Sequence, residues 1–207
     1  MAQHHEAPVL QSLALWSNAD FPAVVATQGS CRLHDGRVVL GIPTPLAAGR
    51  RRIRLRIART ELRRGTVAFP RWTDCARALP LDASMLTALD SVLGSASMTT
   101  RVYGSFGWQH LTGLAYVRES SDLDLLLEAT DVARADQVAT ALATLDFTRP
   151  RLDGEICFDD GSAVAWREWV EWRIGRHPSV LVKRLEGPAL RGDASRLRRC
   201  AAEGKGT

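Results

Sequence analysis

The chain has 207 residues, 45% of them hydrophobic and 24% charged, and its apolar runs fall well short of the ~20 residues that a membrane-spanning helix needs. That length suits one large domain or two small ones, either able to bury a core without metal or disulfide staples. The formal charge of +4 is uneven, with 12 basic and 7 acidic residues in 1–100 against 15 and 16 in 101–207, a surplus too modest to define a nucleic-acid binder by itself.

The first eight residues, with His4 and His5, read as a loose leader, and a short helix is expected over 9–16. Residues 22–69 read as β-rich: an apolar run over 22–27, then strands over 31–33 and 37–42 about the turn-forming His34-Asp35-Gly36. Further on, Ile53, Leu55 and Ile57 alternate with Arg52, Arg54 and Arg56, which puts three guanidinium groups on one face of a strand. That face is either a solvated surface or a patch for phosphates or an acidic partner. Pro43, Pro45, Pro70 and Pro80 punctuate this half, so a small, basic, β-rich N-terminal domain is expected over 1–80 and a second domain over 81–207.

The second domain opens on an amphipathic helix over 81–93, in which Leu81, Met85, Leu86, Leu89 and Val92 recur at helical spacing. A strand over 99–103, a helix over 105–114, a strongly apolar strand over 122–127 and a helix over 132–145 follow. The segments 155–158 and 163–166 flank Asp159-Asp160-Gly161-Ser162 as a hairpin, 180–185 is a last strand or short helix, and the tail after Gly187 is expected to be mobile. The class is therefore α+β, a mixed sheet with flanking helices. Cys31, Cys75, Cys157 and Cys200 form no CxxC pair, and the N-terminus carries no secretory signal, which points to a reducing, cytoplasmic setting and away from zinc.

One constellation rises above this background. Val102-Tyr103-Gly104-Ser105 is a strand running into a helix start, where glycine lets the backbone approach a phosphate and the first helical N–H groups donate to it. After a spacer of 16 residues beyond Ser105 comes Asp122-Leu123-Asp124. Residues i and i+2 of a strand share a face, so both carboxylates project together, and two such charges want a cation between them. Hard oxygen donors of this kind suit Mg²⁺, with Mn²⁺ as an alternative. Trp108 is placed at the helix entry beside a substrate, or in the packing. Trp166, Trp169 and Trp172 form a helical stripe whose ordinary use is core packing. His110 reads as a framework histidine, because nothing completes a nucleophile–base arrangement around it.

Gly104-Ser105 followed by Asp122-x-Asp124 resembles the motif of the polymerase-β-like nucleotidyltransferase superfamily. The wider context, including Leu111-Thr112-Gly113-Leu114, Tyr116-Val117, Ser121-Asp122-Leu123-Asp124-Leu125, Leu152-Asp153-Gly154-Glu155, Ala165-Trp166-Arg167-Glu168 and Leu181-Val182-Lys183, is similar to the malonate decarboxylase holo-[acyl-carrier-protein] synthase family of phosphoribosyl-dephospho-CoA transferases. The similarity is dense over 99–185 and diffuse before it. It implies a nucleotidyltransferase-like second domain and transfer of 2′-(5″-triphosphoribosyl)-3′-dephospho-CoA to a serine of the apo acyl-carrier subunit, with diphosphate released.

The resemblance further implies a third carboxylate beside Asp122 and Asp124: Glu155 is favoured and Asp153 is the alternative. Gly104 and Ser105 would hold the terminal phosphates, and Ser121 would orient the acidic pair or serve as an ordinary loop serine. Lys183 would contact phosphate or be an edge-strand charge, and Arg167 with Glu168 would form an ion pair that supports the site from behind or a solvent pair worth little. Arg54 and its neighbours would meet the carrier, since such carriers are commonly acidic, or line the path of the substrate phosphates. Two other functions compete: a nucleotidyltransferase that joins ATP or another triphosphate to a different protein, RNA or small-molecule hydroxyl, and a nucleic-acid module gripping through the arginine strand. The latter is disfavoured because residues 50–64 offer no aromatic platforms for bases.

Overall fold

Alternation of apolar and charged side chains shapes both main sheets. The computed structural model describes residues 6–29, 36–62, 67–96 and 98–194. Helix α1 (Glu6–Ala19) leads into strands β1 (Val24–Val25), β2 (Arg37–Pro43) and β3 (Arg52–Ala58), an antiparallel sheet in the order β1-β2-β3. Ile53 of β3 lies opposite Ile42 of β2, and Leu55 opposite Leu40, so the apolar set of each strand shares a face. Arg52, Arg54 and Arg56 project from the other face and are exposed, as their period predicts.

Helix α1 extends beyond the expected 9–16 at both ends and takes in part of the segment read as a loose leader. Residues 31–35 of the expected Asp-Gly hairpin lie outside the described residues; among the described strands β2 lies between β1 and β3. Cys31 and Cys200 also lie outside them, while Cys75 and Cys157 are free thiols.

The larger unit comprises α2 (Trp72–Cys75), α3 (Ala83–Ala96), β4 (Thr99–Tyr103), α4 (Gly104–Thr112), β5 (Leu123–Ala129), α5 (Val132–Ala143), β6 (Leu152–Phe158), β7 (Ala163–Ala165), α6 (Trp166–Arg173), β8 (Val180–Val182) and β9 (Ala189–Arg191). Strands β4-β5-β6-β7 form a mixed sheet in which β5 and β6 are parallel and the outer pairs antiparallel. The parallel pair needs a crossover, which α5 supplies. Val102, Leu125, Leu127, Ile156 and Val164 on one side of this sheet are wholly buried, in one core with Leu89 of α3, Val138 and Leu142 of α5, and Trp166 and Trp169 of α6. The tryptophan stripe is thus core: Trp169 packs edge-on to Trp172 at 5.4 Å, and its indole N–H donates to Asp136 at 2.9 Å.

The tail expected to be loose after Gly187 carries β9, which pairs with β8 in antiparallel register, Leu181 opposite Leu190. Trp72, Cys75 and Ala76 lie before the 80/81 boundary in sequence, yet they pack in the core of the larger unit. Pro70 accepts a backbone hydrogen bond from Val102 of β4. The units are joined by a second core in which Trp16, Ile42 and Ile53 meet Trp108 and Tyr116. The Tyr116 hydroxyl donates to the Pro43 carbonyl at 3.0 Å and the Leu46 N–H to that of Ala115 at 2.8 Å. Among the described residues no helix is long and apolar enough to cross a membrane.

Candidate active site

The side of the β4-β5-β6-β7 sheet opposite the core of the larger unit carries the chemistry. Strand β4 ends at Tyr103, opposite Asp124 of β5, and the chain turns at once into α4 through Gly104, whose φ is +60°. A Cβ at Gly104 would stand 1.8 Å from Asp124 Oδ2, so only glycine meets both the left-handed backbone and the close approach. Gly107 is needed one turn later, where a Cβ would lie 2.4 Å from the Val102 carbonyl oxygen; its absence lets α4 fold back against β4. The two halves of the motif, far apart in sequence, therefore touch, and half-buried Ser105 sits in the first turn of the helix.

Parallel register then sets Asp153 of β6 directly opposite Asp124, and Glu155 opposite Leu126 one pleat further along. Asp122 stands just before β5. The Arg151 guanidinium spans two of these acids: Nε and Nη2 donate to Asp122 Oδ1 and Oδ2 at 3.2 and 2.7 Å, and Nη2 also to Asp153 Oδ2 at 3.1 Å. Asp153 Oδ1 accepts from the Gly154 N–H at 2.8 Å. Glu155 is held by Lys183, Nζ to Oε1 at 2.5 Å.

Electrostatics separates the carboxylates. Hydrogen bonding from Arg151 holds Asp122 below the usual carboxylate range. Burial pushes Asp124 up to about 6, and repulsion from Asp153 and Asp122 adds to the rise against the pull of Arg151. The Tyr103 phenol is raised by burial and then by Glu155, Asp124 and Asp153. Burial, with Glu155 and Glu128 adding to it, pushes the Cys157 thiol up to about 12, which keeps it protonated and inert at neutral pH.

Gly104, Asp122, Asp124, Asp153, Glu155 and Lys183 are thus brought together on one sheet face. Ser121 is buried and its Oγ accepts from the Arg118 N–H at 2.9 Å, which closes the turn feeding β5. Trp108 does not face the carboxylates: it is 6% exposed, between Trp16, Phe69 and Tyr116, because α4 turns that side toward the N-terminal sheet. Arg54 belongs to the outer face of that other sheet, where it donates to the Thr27 carbonyl at 3.0 Å. Arg167 does not form the expected pair with Glu168; it donates to the Leu152 carbonyl at 2.8 Å and lies 4.3 Å over the Trp166 ring.

Sequence reasoning gave no role to Arg151 or Tyr103. Alternation carried one step back from β6 finds the first, since Arg151, Asp153 and Glu155 share a parity. The second shows only through the Tyr103–Asp124 register. Among the described residues no three His, Cys, Asp or Glu side chains already converge as ligands of one metal ion. Asp122, Asp124 and Asp153 nonetheless form a hard-oxygen donor set that suits a divalent cation, because mutual repulsion is what such an ion relieves.

The family model described as the phosphoribosyl-dephospho-CoA transferase MdcG C-terminal domain matches residues 69–194, more than half the chain and all of the site face. A phosphoribosyl-dephospho-CoA transferase of Xanthomonas campestris pv. campestris is 38% identical over 179 residues, 86% of this chain and 82% of the relative. One from Bradyrhizobium diazoefficiens is 40% identical over 183 residues, 86% and 76% of the two chains. A shorter match to one from Pseudomonas putida is 34% identical over 108 residues, 52% and 50%. No solved structure matches.

The mixed sheet with its acidic face is accordingly that of a transferase. The chain belongs to the phosphoribosyl-dephospho-CoA transferase family.

Proposed function

We propose that this transferase moves the 2′-(5″-triphosphoribosyl)-3′-dephospho-CoA precursor onto a serine of the apo acyl-carrier subunit of malonate decarboxylase. The serine oxygen forms a bond to the innermost phosphorus of the triphosphate, the bond from that phosphorus to the outer diphosphate breaks, and the hydroxyl proton passes to the carboxylate cluster. The observation that carries this reading is the contact of Gly104 with Asp124 and of Asp124 with Asp153. It sets an open helix start and an acidic pair side by side, as transfer from a triphosphate requires. On this basis the polymerase-β-like architecture is the closest description of the larger unit.

Asp122, Asp124 and Asp153 would hold Mg²⁺ or Mn²⁺, with Asp153 preferred to Glu155 because it faces Asp124 in register while Glu155 is engaged by Lys183. A divalent cation held there would neutralise the leaving diphosphate and lower the pKa of the attacking hydroxyl. Gly104 and Ser105 offer N–H groups and a hydroxyl to the outer phosphates. Lys183 holds Glu155 in place beside them. The exposed arginine face of β3 is the surface we assign to the acidic carrier, and a cytoplasmic setting suits both the soluble carrier and the free thiols.

The test is a mass-spectrometric assay combining the protein, Mg²⁺, the precursor and the apo carrier, with EDTA as control. A metal-dependent mass gain on the carrier serine is expected. No gain, with active precursor and folded carrier, overturns the substrate assignment and returns ATP or another triphosphate as the donor to be tried.

A further inference from the structure

Among the described residues three cationic side chains border the acidic cluster, and two of them are held by other partners. Arg167 is fixed between the Leu152 carbonyl and the Trp166 ring, and Lys183 is held by Glu155. Arg151 differs in that its guanidinium binds Asp122 and Asp153 themselves, two of the oxygens donors that the proposed divalent ion would need. The bridge is open to water: the Arg151 side chain is 55% exposed, and those of Asp122 and Asp153 are 33% and 34% exposed. Water screens a pair so exposed, which leaves the contact open to exchange.

The backbone at this point is tied into the sheet, and the side chain beyond it stands in water. The Arg151 carbonyl accepts from the Leu123 N–H at 2.9 Å, which anchors its Cα at the mouth of the β5–β6 pair. From there the long, exposed side chain extends over Asp122 and Asp153. A guanidinium presents a planar fork that matches a phosphate as well as a carboxylate. A divalent cation bound to the same carboxylates repels it, and the triphosphate arriving with that cation attracts it.

We propose that Arg151 is an exchangeable counter-cation of the site: its guanidinium competes with the divalent metal for Asp122 and Asp153, and on metal binding it passes to a phosphate oxygen of the triphosphate. This rests on the reading of the cluster as a metal site. It makes Arg151 a substrate-contacting residue that couples metal binding to substrate binding. The metal alone must displace the arginine, whereas metal and triphosphate together give it a new partner, so the triphosphate binds with its metal more tightly than the two separate affinities imply.

The test uses the full chain, with Mn²⁺ binding followed by electron paramagnetic resonance and inorganic triphosphate binding by calorimetry, in wild type, Arg151→Gln, Arg151→Lys and Arg149→Gln. Arg149 is a neighbouring arginine paired with exposed Glu119, so it reports the general effect of losing one positive charge nearby. Arg151→Gln is expected to bind Mn²⁺ alone roughly three- to tenfold more tightly, and triphosphate in saturating Mn²⁺ about tenfold more weakly. Arg149→Gln is expected to change either by less than about twofold. Arg151→Lys should recover part of the triphosphate affinity, which also shows that the position tolerates change without unfolding.

Equal Mn²⁺ affinities for Arg151→Gln and Arg149→Gln would overturn the exchange, as would unchanged triphosphate binding in Arg151→Gln. Failure of every variant to bind Mn²⁺ would overturn it together with the metal reading. If the binding pattern is as expected but no precursor reaches a carrier, the arginine exchange stands and only the substrate assignment falls.

Discussion

Both main sheets carry charge by the same device, a strand whose residues alternate between core and exterior, yet they put that charge to different physical use. On β3 the charges are of one type, the guanidinium groups of Arg52, Arg54 and Arg56, and they stand in water. On β5 and β6 they are carboxylates in register, half-buried, with Asp124 pressed against the Gly104 backbone and Asp153 opposite it. Solvated like charges on a strand face repel weakly and are screened within ~8–10 Å at ordinary ionic strength. Half-buried ones shift one another's pKa values and create a demand for a cation, which is what a transferase handling a triphosphate can use. The difference lies in burial and register rather than in the alternation itself.

The largest effect is expected where that demand is removed. Asp124→Asn should lower precursor transfer by about 10³-fold, some 4 kcal/mol of transition-state stabilisation, while circular dichroism shows the fold retained. Full activity in that variant would place the chemistry elsewhere and reduce the acidic face to a surface like that of β3.

Next comes Gly104→Ala, whose new methyl group would strike the Asp124 carboxylate and sit on a backbone with φ of +60°. The side chain must move, and transfer is expected to fall by about 10²-fold with a stability loss of about 1–3 kcal/mol in chemical denaturation. Wild-type kcat in Gly104→Ala would show that the close contact does not position the carboxylate.

A third carboxylate on the same unit sharpens the contrast, because its pKa moves the other way from that of Asp124. Burial tends to raise Asp160, but hydrogen bonds from the Ser162 side chain and N–H and from Arg184 more than offset this and lower it. Folding thus depresses this pKa below its unfolded value of ~3.9, so its stabilisation is fully present above that value and is lost as pH falls through the folded value. Asp160→Asn should cost about 1–2 kcal/mol at pH 7 and flatten the acid limb of the stability profile. An unchanged limb in urea melts run from pH 6 to pH 3 would remove Asp160 from the account.

The smallest effect is expected on the arginine sheet. Arg54→Glu should raise KM for the acidic carrier roughly three- to tenfold, more at low salt than at high, and leave KM for the precursor within about twofold. A precursor KM that moves instead would assign this face to substrate phosphates and bring the two sheets into one site.

Much of this comparison was legible from residue order. Strand β4 falls on 99–103 as expected, and the alternation in β3 and the acidic parity of 122 and 124 are both realised. Helix α6 buries its tryptophans as its spacing predicts. Local propensity was less informative where pairing decides. The segment after Gly187 has the composition of a tail, but β8 offers it a partner and it becomes β9. Trp72 and Cys75 follow a proline-marked stretch that reads as the end of a domain, yet they pack beneath the larger sheet because Pro70 and Arg71 pair with Val102 and Arg101 of β4.

The candidate site divides along the same line. Residue order alone supplies the chemical types and their parity: a glycine at a strand end, two acids sharing a face, and two more acids sharing the face of a later strand. These follow from backbone geometry within a single element, which a period of two expresses directly. Choosing Asp153 over Glu155 as the partner of Asp124, placing Arg151 between the acids and turning Trp108 into the core between the sheets all depend on register between strands and on which side of α4 meets its neighbour. Those contacts join residues tens of positions apart, and only the tertiary structure decides them, because a shift of one residue in pairing would exchange every side chain on the face.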